Sequence, residues 1–268
     1  KQKFVVGVDL GGTKMLAAVV SRSGKVISRA KKKTKADQPA VEILKRLVKC
    51  CQEAVKDAKL TFKQIEGIGI GSPGPLDPIK GTVLDTPNLN LTNAPITAYL
   101  SKTLKCKVFL DNDVNIGTLG EFSYGAGKGN KDVVGIFLGT GVGGGIIING
   151  KLHHGHSLNA GELGHMKVVA DGGRLCGCGQ SGCLEAYASK TAMIKRLKEA
   201  VEKGEKTILP SLIGEDWSKL TSKIFKQCVE EHDALVISVM EEAARYTGVA
   251  VGSLLNILSP DVVIIGGG

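Results

Sequence analysis

The extended run "KFVVGVDL" at residues 3–10 meets Gly11-Gly12 and continues as a second extended run, "KMLAAVV", at 14–20. Far along the chain the pattern returns. "DVVGIFLGTGVGGGIIING" at 132–150 is again a β-branched run, a glycine turn and a second run. Glycine turns between such runs predict tight hairpins. Their recurrence predicts two halves of related design, each opening on a hairpin.

The intervening segments fit an α/β organisation. Residues 39–58 carry Val41, Leu44, Leu47, Val48, Cys51 and Val55 at helical spacing, with Pro39 at the start. "IEGIGIGSPGP" at 65–75 reads as a buried strand entering a Gly/Pro loop, and "CKVFLD" at 106–111 as a short strand. A helix is predicted for "VNIGTLGEFSYG" at 114–125, behind the polar trio Asp111-Asn112-Asp113. Residues 150–185 are loop-rich and hold histidines and cysteines, and the chain is mostly helical from Glu185. Helical patterning is continuous over 232–258, and "DVVII" at 261–265 is a last strand running into Gly266-Gly267-Gly268. The domain boundary is expected at the polar trio, giving domains 1–112 and 113–268. An ending on a glycine turn is also expected to lack a C-terminal helix.

Composition narrows the function classes. The net charge of +9 is spread over dispersed lysines, and the densest run, "RAKKKTK" at 29–35, has no aromatic residue for base stacking. It reads as a solvated edge strand, where lysines discourage edge pairing, so no nucleic-acid partner is expected. No run of about 18 apolar residues occurs, so no membrane span is expected. The first ten residues lack signal-peptide features. Seven cysteines, an odd number, fit a reducing cytoplasm better than a disulfide framework.

Two of the glycine stretches mimic phosphate motifs. "GIGSPG" at 69–74 matches the dinucleotide fingerprint formally, but Pro73 and Pro75 leave no helix to receive a pyrophosphate. "GTGVGGG" at 139–145 leads into a strand, and no P-loop motif is present. What remains are the turns "DLGGTK" and "GTGVGGG". Their N–H groups can form an anion-binding concavity, Thr13 and Thr140 add hydroxyls, and Asp9 can hold magnesium through water. Each turn alone is better explained by tight hairpin geometry. Two with threonine inserted, plus the terminal glycines, point to a nucleotide cleft.

"CGCGQSGCLEA" at 176–186 clusters three thiols with a carboxylate. A C-x-C spacing does not make a CxxC redox pair, and three cysteines do not complete a tetrahedral metal site.

Together, "DLGGTK" at 9–14, "GSPGPLD" at 71–77, "DNDVN" at 111–115, "GTGVGGG" at 139–145 and "ELGH…CGCGQSGCLE" at 162–185 resemble the ROK family of sugar kinases and repressors, above all its bacterial glucokinases. The resemblance implies a two-domain actin/hexokinase-like (ribonuclease H-like) fold with an inter-domain cleft. It implies phosphorylation of a hexose by ATP with Mg²⁺, structural Zn²⁺, and a homo-oligomer, dimer or tetramer. By motif position it implies Asp113 as the catalytic base. The sugar would be held by Asn112, Glu162, His165 and Glu185, with Gly74 and Asn88 on neighbouring loops. The nucleotide would be held by Asp9, Gly11, Gly12, Thr13, Lys14, Thr140, Gly141, Gly267 and Gly268. Zinc would be held by His165, Cys176, Cys178 and Cys183, a closed Cys₃His set.

On residue type alone, Asp113 reads better as an N-cap of the following helix, and the family match reverses that in favour of the base. The repressor branch carries a DNA-binding segment ahead of its first strand, and with eight residues before Asp9 none is expected here. A sugar sensor without catalysis remains a third reading.

Overall fold

The structure, a computed structural model, describes residues 3–86 and 89–267. In chain order its strands are β1 (Phe4–Leu10), β2 (Lys14–Ser21), β3 (Val26–Lys33), β4 (Ile65–Ser72), β5 (Leu76–Asp77), β6 (Thr82–Thr86), β7 (Leu91–Ala94), β8 (Val108–Asn112), β9 (Val133–Leu138), β10 (Val142–Ile148), β11 (Lys151–Leu152) and β12 (Val262–Gly267). The helices are α1 (Ala40–Asp57), α2 (Ile96–Leu104), α3 (Asp113–Tyr124), α4 (Glu185–Ala188), α5 (Lys190–Glu202), α6 (Leu209–Ile213), α7 (Ser222–Glu230) and α8 (Ala234–Leu258).

Contacts divide the chain into two compact units, Lys1–Gly120 and Glu121–Gly268. The junction expected at 112/113 coincides with the passage from β8 to α3, whereas the division by contacts falls inside α3. Close packing on β4 accounts for the difference. A methyl group at Gly71 would lie 3.2 Å from the Asp113 Cα and 3.7 Å from Ile116 Cδ1, so the first turn of α3 belongs with the first sheet.

In the first unit five strands form a sheet of order β3-β2-β1-β4-β8. β1 pairs antiparallel with β2 and parallel with β4, which is parallel to β8. The pleat buries Val6, Val8 and Leu10 and turns Asp9 to the open face. Lysine-rich β3 forms one edge. α1 packs its buried Leu44, Leu47, Cys51 and Val55 into the core, joined by Ile43, Cys50 and Ala54. Val41, in its first turn, stays exposed. A small meander, β5-β6-β7, has no counterpart in the sequence reading.

The second unit repeats the plan. Its sheet runs β11-β10-β9-β12, with β9 antiparallel to β10 and parallel to β12. The pair β9/β10 thus stands to β12 as β1/β2 stands to β4. α8 supplies Val236 and Val239 to one apolar cluster and Ala243, Ala250 and Leu254 to another. Among the described residues, no helix is long and apolar enough to cross a membrane.

Candidate functional site

Each unit carries its own set of candidate groups. In the first, parallel strands β1, β4 and β8 end together, the usual place for ligands in such sheets. Asp9, Gly71 and Asp111 lie in one row, since Gly71 pairs with both. The Gly11–Thr13 turn is closed by the Gly11 N–H donating to Lys14 O at 3.0 Å. Buried Thr34 pins it, donating its N–H to Thr13 O and its hydroxyl to Gly11 O at 2.6 Å.

Asp113 opens α3, but Asn112 does the capping. Asn112 Oδ1 accepts the N–H of Val114 at 2.8 Å and of Asn115 at 3.3 Å. Asp111 Oδ1 accepts from Asn115 Nδ2, locking the trio. Asp113 Oδ1 also accepts the Val114 N–H, at 2.9 Å. The Asp113 pKa is nevertheless raised, first by loss of hydration and then by the charge of Asp9. Gly74 lies near Asn112: a methyl group there would stand 3.8 Å from Asn112 Nδ2. Asn88 falls outside the described residues, as does Gly268.

In the second unit the Gly139–Gly141 turn joins β9 to β10. Gly139 O accepts the Lys190 N–H, and Thr140 O accepts the Thr191 hydroxyl at 2.8 Å, so the turn rests on the start of α5. Gly267 pairs with Leu138 beside it. At φ 125° it occupies backbone space open to glycine, and a Cβ would collide with Leu138 O.

The loop-rich segment brings four donors together. The ligand atoms of His165, Cys176, Cys178 and Cys183 all lie within 4.8 Å of one another. Cys178 and Cys183 Sγ are 3.8 Å apart, and His165 Nδ1 is 3.7 Å from Cys176 Sγ. A tetrahedral site with Zn–S arms of about 2.3 Å has S···S edges of about 3.8 Å, so the donor set fits zinc. Burial pushes the Cys176 thiol up to about 12, whereas the Gln180 N–H holds the exposed Cys178 thiol low. A single 3₁₀ turn, Leu163–His165, separates exposed Glu162 from His165. Its Gly164 presses on β10, where a Cβ would collide with Val142 O.

Several positioning groups lay outside the sequence reading. Lys167 Nζ donates to Ser181 O at 2.6 Å and reaches Cys183 Sγ at 3.4 Å. Arg174 pairs with Glu242 at 2.8 Å and lies over the Tyr187 ring, tying the loop to α8. Nothing in their spacing sets these cations apart from the dispersed lysines and arginines. Glu185, half-buried, has Oε1 3.8 Å from Cys176 Sγ and accepts the Val142 N–H on Oε2. A cavity of about 600 Å³ in this unit is lined by Thr140, Gly141, Cys176, Glu185, Thr191 and Lys195, among others.

These features have counterparts in known proteins. The family model described as "ROK family" matches residues 5–268. The chain belongs to the ROK family. A glucokinase of Halalkalibacterium halodurans is 34% identical over 266 residues, 99% of this chain and 80% of that protein. The crystal structure of a ROK family glucokinase from Streptomyces griseus, in complex with glucose and AMPPNP, matches with a TM-score of 0.82 at 34% identity. The match covers 99% of this chain and 83% of that one. The family is not confined to kinases: a xylose repressor of Caldicellulosiruptor bescii is 33% identical over 98% of this chain and 65% of that protein. The mixed α/β architecture is thus that of ROK glucokinases, an actin-like fold, in line with the sequence reading.

Proposed function

We propose that this ROK protein transfers the γ-phosphoryl group of Mg·ATP to a hexose, with glucose the preferred acceptor. The observation that carries the reading is Asp113, a carboxylate of raised pKa where β1, β4 and β8 end. A sugar hydroxyl is a weak nucleophile near neutral pH. Ionised Asp113 takes its proton as the bond to phosphorus forms, which contributes roughly 10²–10⁴ in rate. By motif position we assign Gly11, Gly12, Thr13, Lys14, Thr140, Gly141, Gly267 and Gly268 to the nucleotide phosphates. Asp9 would hold the nucleotide's magnesium, which supplies charge neutralisation at the phosphates. The glucose and AMPPNP bound by the Streptomyces griseus relative support this substrate pair.

Asn112, Glu162, His165 and Glu185 bind sugar hydroxyls, aided by the loops of Gly74 and Asn88. Glu162 and Glu185 are acceptors only when ionised and suit donor hydroxyls, while Asn112 Nδ2 supplies a donor. His165, Cys176, Cys178 and Cys183 would hold zinc, which supplies a fixed cross-link for the loop. With its Nδ1 toward the sulfur cluster, His165 leaves the far side of its ring for the sugar.

The match to a xylose repressor favours a second reading, a sugar-responsive protein without catalysis. A coupled ADP-release assay over glucose, fructose, allose, N-acetylmannosamine and N-acetylglucosamine separates the two. The proposal expects the highest kcat/KM with glucose. A better acceptor elsewhere in the panel removes glucose from it, and no ADP with any sugar favours the sensor.

A further inference from the structure

Val142, the first residue of β10, is gripped on both backbone polar groups by the metal loop. Its N–H donates to Glu185 Oε2 at 2.9 Å. Its carbonyl oxygen lies against Gly164, so closely that a Cβ there would collide with it. The two grips come from opposite ends of one segment: Gly164 precedes the donor His165, and Glu185 follows the donor Cys183. The Glu185 carboxylate also fills the space at Gly141, where a methyl group would stand 2.5 Å from Oε2. The start of α5 holds the Gly139–Gly141 turn by its carbonyls, and Glu185 holds it by the N–H that follows.

We propose that Glu185 is a positioning residue for the Gly139–Gly141 turn, through which metal occupancy of the His165/Cys176/Cys178/Cys183 cluster sets the turn's order and its affinity for nucleotide phosphates. The nucleotide clause rests on the kinase reading above; the positioning clause does not. Metal joins the two ends of the loop and fixes Glu185 relative to the 3₁₀ turn. Without it the thiols and imidazole have no common partner, and the carboxylate is free to leave the Val142 N–H. Coupling of this kind is reciprocal, so bound nucleotide also raises the affinity of the cluster for metal.

Hydrogen exchange on the full chain tests the positioning clause without any ligand. In Glu185→Ala, and in Gly141→Ala, where the new methyl displaces the carboxylate, the segment containing Val142 exchanges about 10-fold faster, the loss expected for a hydrogen bond to a charged acceptor. Glu185→Gln, whose amide oxygen still accepts, stays near wild type. Stripping zinc from the wild type with a chelator reproduces the Glu185→Ala pattern. Unchanged exchange at Val142 in Glu185→Ala, or chelation that loosens residues 166–184 alone, overturns the proposal. Titration with Mg·AMPPNP tests the second clause: the dissociation constant rises about 10-fold in Glu185→Ala and in zinc-stripped wild type, and not in Glu185→Gln. Faster exchange with unchanged nucleotide affinity overturns the link to phosphate binding. Failure of the zinc-loaded wild type to bind Mg·AMPPNP at all counts against the kinase reading and leaves the exchange result standing.

Discussion

The negative charge of Asp9 acts on Asp113, adding to the loss of hydration that already lifts the Asp113 pKa above its ordinary value. Asp9 stands near the end of β1 on its open face, and Asp113 directly follows β8. A carboxylate in this setting is a stronger proton acceptor than an ordinary surface aspartate. The same shift has a sign for stability. A raised folded-state pKa means that the native protein favours the protonated form. That stabilisation is complete below the unfolded pKa and is lost as pH rises through the folded one.

Asp113→Asn is therefore expected to melt above the wild type at neutral pH, because the amide keeps an acceptor for the Val114 N–H without a poorly hydrated charge. The gap closes as the pH falls below the carboxylate range. Calorimetry at a series of pH values checks this, and an equal or lower melting temperature at pH 7 would show that the charge carries no penalty.

The pH profile of kcat/KM should fall on its acid side as Asp113 takes up its proton, at a midpoint above that of an ordinary aspartate. Asp9→Asn removes the neighbouring charge and shifts this limb to lower pH, whatever it does to the maximum rate. A limb that stays in place would separate the two residues.

Lys167 is expected to matter for metal retention. A zinc ion with three thiolates and an imidazole carries a net negative charge, and Lys167 Nζ lies 3.4 Å from Cys183 Sγ. Lys167→Met should release zinc to a chelator about 10-fold faster, at the lower end of such supporting effects, and Lys167→Arg should restore much of the retention. Identical release rates in all three proteins would reduce Lys167 to a surface lysine.

Gly267→Ala places a Cβ against Leu138 O at a backbone angle that L-residues rarely adopt. A loss of at least about 2 kcal/mol is expected, read from denaturant unfolding. A wild-type midpoint would mean that β12 shifts at no cost.

Much of this architecture was legible because long periodic elements announce themselves. The two glycine hairpins emerged with the same neighbours, β4 and β12, and α1, α8 and β12 lie close to where the apolar spacing put them. The meander β5–β7 was not legible, since strands as short as Leu76–Asp77 carry no usable alternation. Nor was the division inside α3, which depends on the close approach of Asp113 and Ile116 to Gly71. At the candidate site, the family resemblance named His165, Cys176, Cys178 and Cys183, whose potential ligand atoms the fold gathers. Two contacts were hidden: Asn112 rather than an aspartate caps α3, a choice among three adjacent polar residues, and Glu185 reaches Val142 through packing between segments far apart in the chain.

The central claim is that this chain phosphorylates a hexose with Asp113 as base. Glucose 6-phosphate formed from glucose and Mg·ATP, measured side by side for the zinc-loaded wild type and Asp113→Asn, tests it most directly. The account predicts steady turnover by the wild type and a loss of about 10²–10⁴ in kcat for the variant, with glucose affinity largely kept. Turnover by Asp113→Asn equal to wild type, or no glucose 6-phosphate from either protein, would contradict it.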